Sequence, residues 1–175
     1  KVLSLEHDQP STVMRDAQAS TPPVILVNEH DQPIGLAEKL AAHELGALHR
    51  AVSVFAFDER GRMLLQQRAA GKYHSGGLWS NSACSHPRDG ESVLDAASRC
   101  LREELGLSCD ALEAAGHFVD RARVSPTLIE HELDHVFVAT VSTQPSPNPE
   151  EVSAWRWAPL DEVEQELGQD AARFS

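Results

Sequence analysis

Histidines, glutamates and cysteines occur along this chain at spacings that suit metal binding and proton transfer. Cys84 lies two residues before His86, so a metal bound by that histidine would be close to the thiol. Glu130 and Glu132 lie two apart in a strand-like segment, and such side chains leave the same face of a strand. Imidazole nitrogens and carboxylate oxygens together suit Mg²⁺, Mn²⁺ or Zn²⁺. The residue types therefore indicate a mixed metal site beside a thiol.

A histidine taken alone is more often an ordinary surface or core residue than a ligand. That ordinary interpretation applies to the histidines that no motif supports: His7, His30, His74, His117, His131 and His135.

A helix is predicted over 92–105, with Ser92 as N-cap and Gly106 as its stop. Winding it at the helical period predicts one apolar stripe toward the sheet, formed by Leu94, Ala97, Leu101 and Leu105. Glu104 falls at the margin of the stripe, where a carboxylate could look into a cleft and hold a hard cation. Glu103 points to solvent, and Arg99 and Arg102 lie on the far margin or outer face. The helix alone leaves open that both glutamates are ordinary solvated charges.

The rest of the pattern alternates strands and helices and predicts one mixed α/β domain over 24–175. An arm without sustained periodicity precedes it over 1–23. A long Gly-containing loop is predicted over 69–78, and a last helix over 160–167 with Asp161 as its cap. The predicted strands are 24–27, 34–38, 49–57, 63–68, 114–123, 129–139 and 152–157.

Composition limits the possible functions. The net charge of −12 over 175 residues argues against a nucleic-acid or membrane surface. No apolar run approaches the length of a membrane span. Three cysteines do not suggest a disulfide framework, which favours a reducing cytosol and hence a cytoplasmic protein. Any anionic substrate would need a local basic pocket. We expect a small-molecule substrate and a monomer.

Two motifs carry a family resemblance. The first runs Ser85-x5-Glu91-x7-Arg99-Cys100-Leu101-Arg102-Glu103-Glu104-Leu105-Gly106-Leu107 and resembles the Nudix box, G-x5-E-x7-R-E-U-x-E-E-x-G-U. It departs where Ser85 stands for glycine and Cys100 for the first glutamate of the core. Because that core supplies carboxylates that hold metals on a diphosphate, the loss weakens a hydrolase interpretation without removing the fold.

The second motif, Trp79-Ser80-Asn81-Ser82-Ala83-Cys84-Ser85-His86-Pro87, resembles the W-x-N-x-x-C-x-H-P segment of type I isopentenyl diphosphate isomerases, which use a modified Nudix fold. The order and spacing of further motifs match as well: His43 and His49, the loop 68–74, Glu130-His131-Glu132, and Trp155-Arg156-Trp157. The resemblance covers roughly Val24 to Trp157. It implies an α/β fold with a Nudix-like mixed sheet sandwiched between helices.

The resemblance implies an isomerase that interconverts isopentenyl and dimethylallyl diphosphate for isoprenoid precursor biosynthesis. Cys84 and Glu132 would be its catalytic acid–base pair, with the indole of Trp157 stabilising a carbocation. It further implies one divalent metal, Mn²⁺, Mg²⁺ or Zn²⁺, on His43, His49, His86, Glu130 and Glu132. A second ion, Mg²⁺, would be shared between Glu104 and the diphosphate. The remaining diphosphate contacts would come from Lys39, Arg68, Lys72 and Ser85.

Two positions depart from the isomerase pattern. Asp120 stands where the family carries a tyrosine that hydrogen-bonds the catalytic glutamate, and Cys100 replaces an arginine used toward the diphosphate. The family's C-terminal Trp-containing segment is also absent. These departures keep two alternatives open: a Nudix-type diphosphate hydrolase, and a diverged paralogue that binds prenyl diphosphates with weak or altered activity.

Overall fold

The computed structural model describes residues 21–109 and 111–175, so most of the predicted N-terminal arm lies outside the described residues. Within these ranges the chain forms three α-helices: α1 (Lys39–Leu45), α2 (Val93–Leu105) and α3 (Leu160–Gln169). A short 3-10 helix follows α3 at Ala171–Arg173. The strands are β1 (Val24–Val27), β2 (Pro33–Ala37), β3 (His49–Phe57), β4 (Met63–Arg68), β5 (Trp79–Ser80), β6 (Ala83–Ser85), β7 (Leu112–Arg123), β8 (Ile129–Thr140) and β9 (Val152–Ala158).

Strand β3 organises a mixed sheet. Along one edge it pairs in parallel with β8, in a register that runs from His49 opposite Glu132 to Phe57 opposite Thr140. Along its other edge it meets β1, then β6, then β4, each antiparallel. Strand β7 pairs with β8, β2 with β1, and β5 and β9 with β4. The antiparallel neighbour of β3 therefore changes along the length of this strand.

The two faces of the sheet bury different clusters because side chains alternate along a strand. Leu64 of β4 packs in the main core, which also contains the buried face of α2. Its neighbours Met63 and Leu65 pack in a smaller cluster with Val163 of α3. Helices α2 and α3 thus cover opposite faces, which confirms the predicted mixed sheet between helices.

Helix α2 begins and ends as predicted, and it buries Ala97, Leu101 and Leu105 of the predicted stripe. The Ser92 hydroxyl accepts from the Asp95 N–H at 3.1 Å, and Gly106 ends the helix in the left-handed region at φ 64°. The predicted stripe is wrong at Leu94, which is 48% exposed. Arg99, expected on the far margin or outer face of the helix, is only 8% exposed. The segment that precedes α2 folds over this side of the helix and covers Arg99.

Helix α1 was not predicted. The carboxylate of Glu38 accepts from the N–H groups of Leu40 and Ala41 at 3.1 and 2.9 Å, and Gly46 ends the helix at φ 62°. Glutamate is a less familiar N-cap than serine or aspartate, which concealed the start. Helix α3 has Pro159 as its N-cap without a side-chain bond, so the predicted cap at Asp161 is wrong.

Strand bounds agree with the prediction within a few residues. β1, β3 and β4 match it, while β7 begins two residues earlier and β8 ends one residue later. In the described part of the chain no helix is both long and apolar enough to cross a bilayer.

Candidate active site

Four side chains from four segments form a cluster that could hold a metal. His43 lies on α1, His49 begins β3, His86 follows β6, and Glu132 lies on β8. One potential ligand atom of each lies within 4.8 Å of the other three. The parallel register brings His49 directly beside Glu132, while the pairing of β6 with β3 carries His86 to the same place. The structure thus brings together four of the five predicted ligands of this site.

Backbone carbonyls fix the orientation of two imidazoles. His43 Nδ1 lies 2.7 Å from Lys39 O, and His49 Nδ1 lies 2.8 Å from Ala47 O. A carbonyl can only accept, so each Nδ1 carries the hydrogen and each Nε2 presents a lone pair to the cluster. Such carbonyl bonds are the usual way in which proteins orient metal-binding histidines.

The inward-facing atoms fit a divalent cation. His43 Nε2 is buried and has no hydrogen-bond partner among the described residues. His49 Nε2 lies 3.2 Å from His86 Nε2 and 3.5 Å from Glu132 Oε1. Burial lowers the pKa of His86 to about 4, which keeps its imidazole in the neutral form that binds metals. Three imidazoles and one carboxylate suit a borderline or hard divalent metal.

Glu130 is placed differently from the prediction. It is not among the four clustered ligands, and its Oε1 instead lies 3.1 Å from Nε2 of His74. Burial, helped by the charge of Glu132, raises the pKa of Glu130 to about 7. His74 was expected to be an ordinary histidine, yet its side chain is 6% exposed and lies beside the cluster. Its position two residues after Lys72, in the loop that the isomerase motif includes, was the signal available.

The Cys84 thiol faces a cavity of about 280 Å³ whose lining also includes Glu132. Cys84 lies opposite Ser53 in the β3–β6 pairing, and its Sγ is 3.4 Å from the Ser53 hydroxyl. On another side the thiol donates to Oδ1 of Asn81 at 2.9 Å. Loss of hydration within this cavity raises the pKa of Cys84 to about 12. The predicted acid–base pair therefore shares one small cavity beside the histidine cluster.

A larger cavity of about 860 Å³ adjoins the thiol, since Cys84 and Ser85 line it as well. Its lining contains four cationic side chains and four carboxylates, so the cavity offers local positive groups without being basic as a whole. Nζ of Lys72 pairs with the carboxylate of Glu151, and Nε of Arg68 is buried without a partner among the described residues. Lys39 lies with its Nζ 5.4 Å from the centre of the Tyr73 ring. All four residues predicted to contact a diphosphate line this cavity: Lys39, Arg68, Lys72 and Ser85.

Glu104 also lines the larger cavity, as its place at the margin of α2 predicted. Nε2 of Gln66 donates to Glu104 Oε2 at 2.8 Å and so orients the carboxylate. Burial raises the pKa of Glu104 to about 7, which a bound cation would counteract. Gln66 was not predicted, because an isolated glutamine in a strand carries no recognisable signal.

Trp157 lies away from the predicted site. It is on β9 opposite Leu64 and packs against the main core, and it is not among the lining residues of the two cavities at Cys84. Its contacts are those of a core aromatic residue. Asp120 lies opposite Glu132 in the β7–β8 pairing and lines the smaller cavity. Cys100 is 1% exposed in the core beneath α2.

Comparison with known proteins identifies the class first. The NUDIX domain family matches residues 47–175, so the fold and the cavity define a Nudix-domain protein. A crystal structure from Deinococcus radiodurans superposes with a TM-score of 0.69 at 24% identity, covering 86% of this chain and 89% of that one. The MutT protein of Methanosarcina mazei gives 0.57 at 20% identity, covering 69% and 81%. These structures support the fold alone.

Relatives with high sequence identity show which family of Nudix-domain proteins this chain belongs to. Isopentenyl-diphosphate Delta-isomerase 2 of Aromatoleum aromaticum is 56% identical over 140 residues, covering 80% of this chain and 74% of that protein. Isopentenyl-diphosphate Delta-isomerase 1 of the same organism is 49% identical over 152 residues, covering 87% and 85%. The chain belongs to the isopentenyl-diphosphate Delta-isomerase family.

Proposed function

We propose that this protein interconverts isopentenyl diphosphate and dimethylallyl diphosphate. The observation that supports this function best is the small cavity in which the Cys84 thiol and the Glu132 carboxyl stand together beside the histidine cluster. The reaction moves a double bond and releases nothing. A proton adds to the terminal methylene carbon, a tertiary carbocation forms, and a proton leaves C2.

The two catalytic groups perform the two proton transfers. Each must lie within hydrogen-bonding reach of the carbon that it serves, and water must be kept away from the cation between them. In our proposal Cys84 and Glu132 are this pair. His86 Nε2 lies 3.0 Å from Oε1 of Glu132, and this contact holds the carboxyl in place without substrate.

The histidine cluster would hold one divalent metal through His43, His49, His86 and Glu132. Glu130 would be a fifth ligand after release from His74. When bound, this metal supplies positive charge that orients Glu132 and tunes its acidity. Its identity, Mn²⁺, Mg²⁺ or Zn²⁺, is part of the proposal, as is a Mg²⁺ ion shared between Glu104 and the diphosphate.

The diphosphate would occupy the larger cavity. Arg68 and Lys72 present a guanidinium and an ammonium to it, and Lys39 stands between this cavity and Glu132. Arg68 is suited to bidentate contact with phosphate oxygens, because its buried Nε lacks another partner among the described residues. These contacts would anchor the anionic end while the alkene reaches the thiol.

The direct test is incubation of isopentenyl diphosphate with the protein and Mg²⁺ in heavy water, with product analysis by NMR and a phosphate assay. We expect dimethylallyl diphosphate that carries deuterium, and no phosphate release. The matched control is Cys84→Ala, which removes the thiol without touching the four clustered ligands. Phosphate release without isomer would favour the diphosphate hydrolase. Binding without turnover would favour the diverged paralogue.

The compartment and the assembly complete the proposal. A monomer is part of the proposal. A catalytic thiol must stay reduced, and we infer a cytoplasmic location on that ground.

A further inference from the structure

Asn81 lies in the short link between β5 and β6, with its side chain against the Cys84 thiol. Its Nδ2 donates to two backbone carbonyls, Val54 O at 3.1 Å and Ala83 O at 3.2 Å. Carbonyl oxygens only accept, so the amide nitrogen must face them and the side chain cannot be flipped. The amide oxygen is thereby fixed on the opposite side.

The fixed oxygen points at the thiol. Oδ1 of Asn81 lies 2.9 Å from Cys84 Sγ and 3.0 Å from the Ser80 hydroxyl. An amide oxygen cannot donate, so the hydrogen between it and sulfur belongs to the thiol. The S–H bond is therefore directed at Asn81, and the sulfur lone pairs are left for the cavity and for Ser53.

We propose that Asn81 is a positioning residue that holds the Cys84 S–H on its amide oxygen and so fixes the sulfur rotamer toward the alkene. The proposal rests on the proposed isomerase function. A cysteine that faces an open cavity has few packing contacts to hold its rotamer, and misplacement of a reacting atom by about 1 Å can cost about 10²-fold in rate. Asn81 supplies the restraint that packing does not.

Two substitutions distinguish the contribution of the Asn81 amide oxygen from that of its amide nitrogen. Asn81→Ala removes the acceptor and both Nδ2 donors. Asn81→Asp also removes both donors but keeps an oxygen that can accept from the thiol. Loss of the bonds to Val54 O and Ala83 O is therefore common to both variants. The thermal stability of Asn81→Asp should fall further, because its second oxygen faces two carbonyl oxygens.

The S–H stretching band in the infrared gives a readout that a purely structural role would not move. Hydrogen bonding weakens the S–H bond and lowers its stretching wavenumber, and subtraction of a Cys84→Ala spectrum isolates the Cys84 band. We expect the band to move to higher wavenumber in Asn81→Ala. In Asn81→Asp it should stay at or below its wavenumber in the native protein. Ser80→Ala, which removes the other donor to Oδ1, should not raise the wavenumber.

Kinetics provide the second readout. In Asn81→Ala we expect kcat to fall about 10- to 100-fold, with KM nearly unchanged because the diphosphate contacts lie elsewhere. Metal content should stay at the native level. An unchanged band in Asn81→Ala, or equal upward shifts in both variants, would overturn the proposal. Absence of isomerisation in the native protein would instead refute the proposed function, while the band shift would still test the hydrogen bond.

Discussion

Replacing Arg99 by methionine should destabilise the protein strongly, because this arginine joins α2 to the segment that carries His86. Its guanidinium donates to both carboxylate oxygens of Glu91 at 2.7 and 2.9 Å, to Glu103 at 3.0 Å and to the His86 carbonyl at 3.0 Å. Methionine keeps the helix propensity and much of the apolar stem, so the change removes mainly the charge and its hydrogen bonds.

The size of the expected loss in stability follows from how deeply each carboxylate partner of Arg99 is buried. Glu103 is 48% exposed and its pair with Arg99 contributes little, whereas Glu91 is 16% exposed and bound in a bidentate geometry. Breaking a buried pair costs about 3–5 kcal/mol, and the partial exposure of Glu91 places the loss at the lower end. We expect the free energy of unfolding to fall by about 3 kcal/mol. For a chain of this size that corresponds to about 6–12 °C in Tm.

Arg88 provides the matched control. It pairs with the same Glu103 at 3.3 Å, but both side chains are about half exposed, so Arg88→Met should cost about 0–1 kcal/mol. Urea unfolding of both variants measures the difference, and a double-mutant cycle with Glu91→Gln isolates the coupling. If Arg99→Met lowers the free energy of unfolding no more than Arg88→Met does, then burial does not decide how strongly these ion pairs stabilise the protein. That result would refute the prediction.

Four further outcomes are expected. Cys84→Ala should abolish turnover in the isomerisation assay while metal content stays near native; retention of most of the rate would exclude the thiol from the acid–base pair. Gly106→Ala should lower the free energy of urea unfolding by about 2 kcal/mol or more, because the residue has φ +64° and its new Cβ would lie 2.6 Å from Ser146 O. The hydrogen bonds from Arg99 lower the folded-state pKa of Glu91 below its ordinary 4.5, so the stability that this carboxylate contributes is present above pH 4.5 and is lost as pH falls through the folded pKa. Glu91→Gln should therefore flatten the acid limb of stability against pH, and an unaltered limb would contradict the assignment. Asp120→Tyr should raise the isomerisation rate at saturating substrate, because a neutral phenol can donate to Glu132 where a carboxylate repels it; a slower variant at every pH would show that Asp120 is adapted to this site.

The sequence predicted the strands well where apolar residues recur without competing signals. His49–Phe57 and Met63–Arg68 matched to the residue, and motif order named the four residues that the structure clusters. The errors arose where a distant segment decides the environment. Arg99 was placed on the far margin or outer face of α2, because helical winding gives only an angle around the helix. In the structure the segment with His86 and Glu91 covers that side.

The sequence also could not predict which side chains would contact each other. Spacing showed that Glu130 and Glu132 share a face, but not that His74 lies close enough to hold Glu130 outside the four-ligand group. Likewise, the motif contained Asn81 without revealing that both its amide hydrogens are engaged by backbone carbonyls. Side-chain pairing depends on the register of strands far apart in the chain, which spacing within one strand does not encode.

The parallel register of β3 and β8 limits where the chain can change length. A one-residue insertion in β8 just after Leu133, with the later residues kept in register, would turn Glu132 from the cavity. It would put Leu133 in its place, a residue that now packs with Ile25 and Val27 on the other face. The turns at 28–32 and 58–62 lie outside this register. Insertions and deletions that preserve activity should therefore collect in those turns, and gaps among functional relatives should avoid β3 and β8.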